Sequence, residues 1–158
     1  MKKYLCLLLL MALSLTFTSG CAETTDWEPT EYDNVNNFDG VNMTVKEETV
    51  SSTGLIVVIE NSSESQCIFS EDFVLEKKIK GNWYQVPVII GKDYGFNDIG
   101  YNLASEENGE WAVEWDWLYG SLDTGEYRII KNVLDFRDTG DFDQYKLAVE
   151  FKISSDNK

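Results

Sequence analysis

The 158-residue chain contains no histidine, and that single absence removes several chemistries at once. Ser-His-Asp and Cys-His nucleophilic catalysis both need an imidazole as base, and most zinc sites use imidazole as a ligand. Basic residues are also scarce, with 13 Lys and Arg against 28 Asp and Glu, for a formal net charge of −15. Nucleic acid is excluded as a partner, because binding it rests on neutralising phosphates with basic side chains. Anionic lipid headgroups repel such a surface in the same way. Proline is nearly absent, with two residues, and there are only three cysteines. After the signal described below, no stretch carries the period of an amphipathic helix of ten residues.

Hydrophobic residues make up 43% and aromatics 13%, which is enough for one packed core and argues against wholesale disorder. The N-terminus reads as an address. Met1-Lys2-Lys3 is a positive start, and Tyr4 to Phe17 is an apolar run centred on Leu5 and Leu7 to Leu10. That run is short of the ~20 residues of a spanning helix, so residues 1–20 are predicted to be a cleavable signal peptide. Thr18-Ser19-Gly20-Cys21 resembles the end of a bacterial lipoprotein signal, although Thr18 stands where a larger aliphatic residue is usual. The resemblance implies diacylglycerol on the Cys21 thiol, cleavage before it, and a palmitate-bearing protein held by lipid on the extracytoplasmic face of the membrane. Several acyl chains are needed for firm attachment, since each buried methylene contributes roughly 0.8 kcal/mol. Loss of Cys6 with the signal and lipidation of Cys21 leave Cys67 alone, so no intramolecular disulfide is expected. A lone cysteine in a strand region reads as a small core hydrophobe.

Residues 21–40 are polar, with Thr24, Thr25, Asp26, Asn34, Asn36 and Asn37, and show no period. They are predicted to form the lipidated cysteine and a flexible linker that reaches about 25 Å if fully free. Trp27, Tyr32 and Phe38 are its apolar exceptions, and Phe38 is near enough to pack on the domain. From residue 41 to 158 a single all-β domain of about seven strands is predicted, an antiparallel two-sheet sandwich. Met43 and Val45, Leu55 to Ile59, Phe73 to Ile79, Trp83 to Ile89, Trp111 to Trp117, Tyr127 to Val133 and Tyr145 to Ile153 are the strands. Gly81-Asn82 marks a hairpin. The alternation of Trp111, Trp115 and Trp117 places three indoles on one face, most compactly the core. Gly91 to Glu110 is the longest irregular stretch.

Asp123-Thr124-Gly125-Glu126-Tyr127-Arg128-Ile129 follows the D-x-G-x-Y-x-C pattern that opens strand F of immunoglobulin domains. In that resemblance Asp123, Gly125, Tyr127 and Ile129 are the structural motif; Tyr127 forms a tyrosine corner and Ile129 replaces the second cysteine. Together with Thr53-Gly54-Leu55, Gly81-Asn82-Trp83-Tyr84-Gln85-Val86-Pro87 and Trp115 to Gly120, residues 41 to 153 look like the bacterial immunoglobulin-like domain of Firmicute lipoproteins. The resemblance implies fold and location, with no ligand and no catalytic residue to carry over.

The leading expectation is therefore a non-catalytic, membrane-anchored module that binds a protein or cell-envelope component, through strand edges or end loops such as 91–110. A cell-wall glycan is the alternative ligand, stacked on Trp83 and Tyr84 as exposed platforms. Enzyme chemistry reduces to a pair of carboxylates, for which Glu114 and Asp116 are the candidates of a glycosidase; adjacent acids on an outward strand face are ordinarily solvated. Ser155-x-x-Lys158 has the spacing of a serine-lysine pair but lies at the chain end. Asp138, Asp141 and Asp143, around Gly140, offer the oxygen density that calcium requires, without the spacing of a helix-loop-helix calcium loop. A charged hairpin accounts for the same residues.

Overall fold

The computed structural model describes residues 26–91 and 93–157, and over them the chain is two packed antiparallel sheets with one short helix and no disulfide. The strands are β1 (Val41–Val45), β2 (Gly54–Asn61), β3 (Gln66–Phe69), β4 (Val74–Ile79), β5 (Asn82–Gln85), β6 (Tyr101–Leu103), β7 (Glu107–Glu114), β8 (Gly125–Asp138) and β9 (Asp141–Ile153). Helix α1 (Asp116–Tyr119) joins β7 to the loop before β8. A small sheet runs β1-β2-β7, and a six-stranded sheet is built on β8. β9 pairs with β8 along its whole length, so β4 and β3 share the other edge of β8, with β5 beside β4 and β6 beside β3.

Period-two alternation produces the core directly. Leu55, Val57 and Ile59 of β2 face Leu75, Ile129, Val133 and Leu147 of the large sheet, and all of these are buried. Trp115 closes one end, stacked on Phe151 at 5.4 Å between centroids, its Nε1–H donating to the Ser52 carbonyl at 2.9 Å. Lys80 and Gly81, both at positive φ (52° and 87°), form the two-residue turn between β4 and β5, a conformation whose twist suits a hairpin.

Four sequence expectations differ from the structure. Nine strands stand among the described residues rather than about seven, because the strand beginning near Phe73 is preceded by a separate β3 and the 91–110 stretch contains β6 and the start of β7. β5 ends at Gln85 instead of Ile89, since Pro87 has no N–H to extend the ladder. The Trp111–Trp117 alternation does not stay in strand: β7 loses its partner where β2 begins at Gly54, α1 follows, and Trp117 is 42% exposed while Trp111 and Trp115 are buried.

The fourth concerns the expected linker, whose residues 26–40 lie against the large sheet. Glu28 and Thr30 hydrogen-bond to the outer edge of β5, with Gln85 N–H donating to Glu28 O and Thr30 N–H to Trp83 O. Further along, the Asn36 side chain both donates to and accepts from the main chain of Ala148 on β9, and Phe38 stacks on Tyr145 at 4.4 Å. The physical reason lies beneath this segment. Arg128 and Glu76 form a buried ion pair at 2.6 Å, and Nη2 of the guanidinium donates to Thr30 Oγ1 and Tyr32 O. A buried charge needs such partners, and residues 28–32 supply them.

Candidate binding groove

β3 and β4 run in the same direction along one edge of β8 and amount to one strand interrupted. Phe69 pairs with Val133 and Val74 with Ile130, so four residues, Ser70 to Phe73, stand opposite two. The interruption accommodates a lysine on the inward phase of β8. Tyr127, Ile129, Lys131 and Val133 all point into the sandwich, and Lys131 is fully buried. Its ammonium cannot reach water, so the broken strand turns two carbonyls onto it: Nζ donates to Ser70 O and, at 2.6 Å, to Asp72 O. The same nitrogen lies 4.0 Å from the centroid of the Trp111 ring, a cation-π contact. Burial pushes the Lys131 pKa down to about 8, against the pull of Asp72 and Glu71.

The interruption also distributes its own side chains. Asp72 accepts from Ser70 Oγ and, at 2.8 Å, from Asn132 Nδ2. Glu71 turns outward and accepts from Asn97 Nδ2 at 2.8 Å and Tyr101 Oη at 2.9 Å, bonds that hold its carboxyl below the usual range. Phe73 enters a cluster of rings, 5.8 Å from Trp111, 5.5 Å from Phe96 and 5.9 Å from Tyr119. Phe96 meets Trp117 edge-on at 5.6 Å, and Trp117 meets Tyr94 at 6.5 Å. A groove results, floored by Phe73 and Trp111, walled by Phe96 and Trp117, bounded by Ala112 to Glu114 of β7 and rimmed by Glu71.

The residues singled out in the sequence fall elsewhere, with one exception. Cys21 lies outside the described residues. The Tyr127 hydroxyl donates to the Asp123 carbonyl at 2.9 Å; Gly125 opens β8 at the rim and Ile129 is in the core. Burial, then the nearby Asp123 charge, pushes the Tyr127 pKa up to about 12. Cys67 is buried in the core, which drives its thiol up to about 11. Trp83 and Tyr84 are not a shared platform, because neighbours on a strand face opposite sides. Trp83 carries the Arg128 guanidinium at 4.6 Å and Lys78 Nζ at 5.2 Å over its ring, and the Tyr84 backbone is bridged to Pro29.

Asp138, Asp141 and Asp143 are not gathered around one position open to calcium. The Arg137 guanidinium sits among Asp135, Asp141 and Asp143 at 2.8–3.1 Å, while Asp138 accepts from its neighbour's N–H at Thr139. Among the described residues no group of three or more His, Cys, Asp or Glu is arranged to hold a metal ion. Glu114 alone of the earlier candidates borders the ring-lined groove; Asp116 is exposed beside it on α1. The signal for the groove that sequence reading passed over is Lys131, a charge on the inward phase of an otherwise apolar strand.

No curated protein matches the chain. A family model described as bacterial Ig-like domain matches residues 37–152, from the end of the docked N-terminal segment to the last turn of β9. That span contains both sheets, the tyrosine corner and the interrupted strand. The chain belongs to the bacterial Ig-like domain family.

Proposed function

We propose that the chain is a non-catalytic interaction module, displayed outside the cell membrane by lipid on Cys21, and that the groove between β7 and the interrupted strand is its binding surface. One observation carries this reading: a rigid sandwich holds Trp117, on α1, and Tyr94, on the loop before β6, 42% and 41% exposed, beside a ring-lined groove. Loops held by a rigid scaffold are where such folds place binding residues. Large exposed rings cost solubility unless something covers them.

Family membership supports the non-catalytic part, as Ig-like domains are typically not enzymes. The groove chemistry agrees. A glycosidase needs a carboxylic acid whose pKa is raised, and the rim carboxyl of Glu71 is shifted down. A glycan ligand favours flat, parallel ring platforms, whereas the groove rings stand edge-on to one another. A polypeptide partner therefore fits better. Among the described residues no helix is long and apolar enough to cross a membrane.

Two measurements test the reading. Labelled palmitate should appear on the chain and vanish in Cys21→Ala. A photo-crosslinking residue at position 117 should give a discrete adduct in intact cells, and one at position 152, exposed on the outward face of β9, should not. Equal, diffuse labelling from both positions would remove the groove from consideration.

A further inference from the structure

The three strands of the small sheet end at β7, which among the described residues pairs only with β2. In a constant-type immunoglobulin sandwich the corresponding sheet has four strands, the fourth lying along the edge that β7 presents here. Which main-chain groups face that edge follows from the ladder. Trp115 N–H donates to Thr53 O, and in an antiparallel pair the direction alternates residue by residue, so Val113 and Trp111 also face β2. Glu110, Ala112 and Glu114 face away. Two bonds agree: Lys46 N–H donates to Ile56 O, so Ile56, the partner of Ala112, faces β1, and Trp117 Nε1–H reaches the outward carbonyl of Glu114 at 3.0 Å. Among the described residues, no main-chain hydrogen bond to another strand uses the N–H or C=O of Glu110 or Ala112.

We infer that the free edge of β7 is a docking site for an extended, basic segment of a partner protein, which adds as the fourth strand of the small sheet. This rests on the chain being a binding module. A strand laid on that edge directs alternate side chains to opposite faces. One set enters the groove against Phe73, Phe96 and Trp117; the other lies beside Glu110 and Glu114, both exposed. Glu110 is ion-paired with Lys46 at 2.8 Å, but Glu114, with Glu71 and Asp116 at the margin, leaves the surroundings net acidic, so the outward set is basic and the inward set apolar. Residues 93–100 reach the groove through the Phe96 ring and, among the described residues, make no main-chain bond to β7. A second copy is a poor occupant: antiparallel pairing centred on Ala112 sets Glu110 of one chain opposite Glu114 of the other, twice, and like charges placed opposite are destabilising.

The test uses the full lipidated chain in detergent micelles and fluorescein-labelled capped octapeptides followed by anisotropy. The probe alternates Lys and Val; its controls alternate Glu and Val, or carry N-methyl groups on alternate amides. Binding of the Lys-Val peptide, weakened at least about tenfold by charge reversal of the peptide, by N-methylation and by Ala112→Pro, supports strand addition. Proline is tolerated on an edge strand whose N–H faces solvent, so Ala112→Pro should melt near the parent and removes one outward donor. If that variant does not fold, the N-methylated peptide carries the same test. Binding that is lost on charge reversal but ignores N-methylation and Ala112→Pro is unspecific charge attraction and overturns the inference, as does no binding of any peptide. Retention of cell-wall polysaccharide, lost in Trp117→Ala but not in Ala112→Pro, also overturns it. In each of those cases a crosslink from position 117 in cells still stands, which separates failure of strand addition from failure of the module itself.

Discussion

Lys131 makes the stability of this domain rise with pH in the alkaline range. Its folded pKa of about 8 lies below the ordinary 10.5, so between those values the unfolded chain holds a proton that the folded chain has released. Stability then rises with pH across that window and is flat below it, where both states are protonated and the burial penalty is fully present. A shift of this size corresponds to roughly 3 kcal/mol, of which about 1 kcal/mol is recovered between pH 7 and pH 9. The upper part of the window is crowded. Cys67, held up to about 11 from 9.0, costs stability as pH climbs past 9, and Tyr119 and Tyr127, both held up to about 12, do so past 10. The difference between parent and Lys131→Met isolates the lysine. Urea unfolding followed by tryptophan fluorescence, on a form lacking the first 21 residues, should give a parent curve that gains about 1 kcal/mol on the variant from pH 7 to 9. At pH 7 the variant should lie within about 2 kcal/mol of the parent. Relief of a buried charge is offset there by two carbonyls, Ser70 O and Asp72 O, left without a donor. Parallel curves for the two proteins would refute the burial argument.

The remaining expectations are measured the same way or by thermal melting. A Cβ at Gly54 would stand 2.6 Å from the Val113 carbonyl oxygen, so Gly54→Ala should cost about 1–3 kcal/mol although the φ there is ordinary. Arg128→Met leaves Glu76 buried without its cation and should cost about 3–5 kcal/mol, whereas Arg128→Met with Glu76→Leu should recover most of the loss. Tyr127→Phe removes the bond to Asp123 O and should cost about 1 kcal/mol; a neutral result would mean the corner is held by packing alone. Replacing Glu110 and Glu114 by Thr should raise self-association above that of the parent in sedimentation, and adding Ala112→Pro should reverse it; no increase would mean these charges do not guard the edge.

What could be read beforehand follows the physics of each signal. The C-terminal half of β9 alternates because one of its faces is buried and the other is not, and Gly81 marks its hairpin because few residues accept positive φ. The tyrosine corner is local, so four residues carry it. Period two, however, carries no information about where a partner strand begins, and so Trp117 reads as core although β2 starts at Gly54. Trp83 and Tyr84 read as exposed platforms because nothing in their own strand shows that Arg128 and the N-terminal segment lie against them. The aspartates around Gly140 allow either a cation site or a charged hairpin on sequence, because only the fold shows that Arg137 sits among Asp135, Asp141 and Asp143. Residues 28–38 look like free chain because what holds them is main chain and the isolated side chains of Thr30, Asn36 and Phe38, none of which leaves a periodic pattern. The groove is the least legible part, since it depends on an interruption between β3 and β4 that no turn residue announces.

That interruption and the open edge have a common origin. A sandwich edge is satisfied either by another strand or by chain laid along it, and the large sheet uses the N-terminal segment for both purposes, at β5 through Glu28 and Thr30 and at β9 through Asn36. Nothing equivalent among the described residues reaches β7, because the opposite wall, where β3 gives way to β4, is turned inward to Lys131 and sends Phe73 and Glu71 toward the gap instead of main chain. An uncovered edge of eight residues is ordinarily an aggregation hazard, and exposed charge is the usual protection. Here the protecting charges are carboxylates beside a groove of aromatic rings. The same groups that turn away a second acidic copy leave the edge available to a strand of opposite charge, so protection against self-pairing and selection of a partner are one electrostatic device.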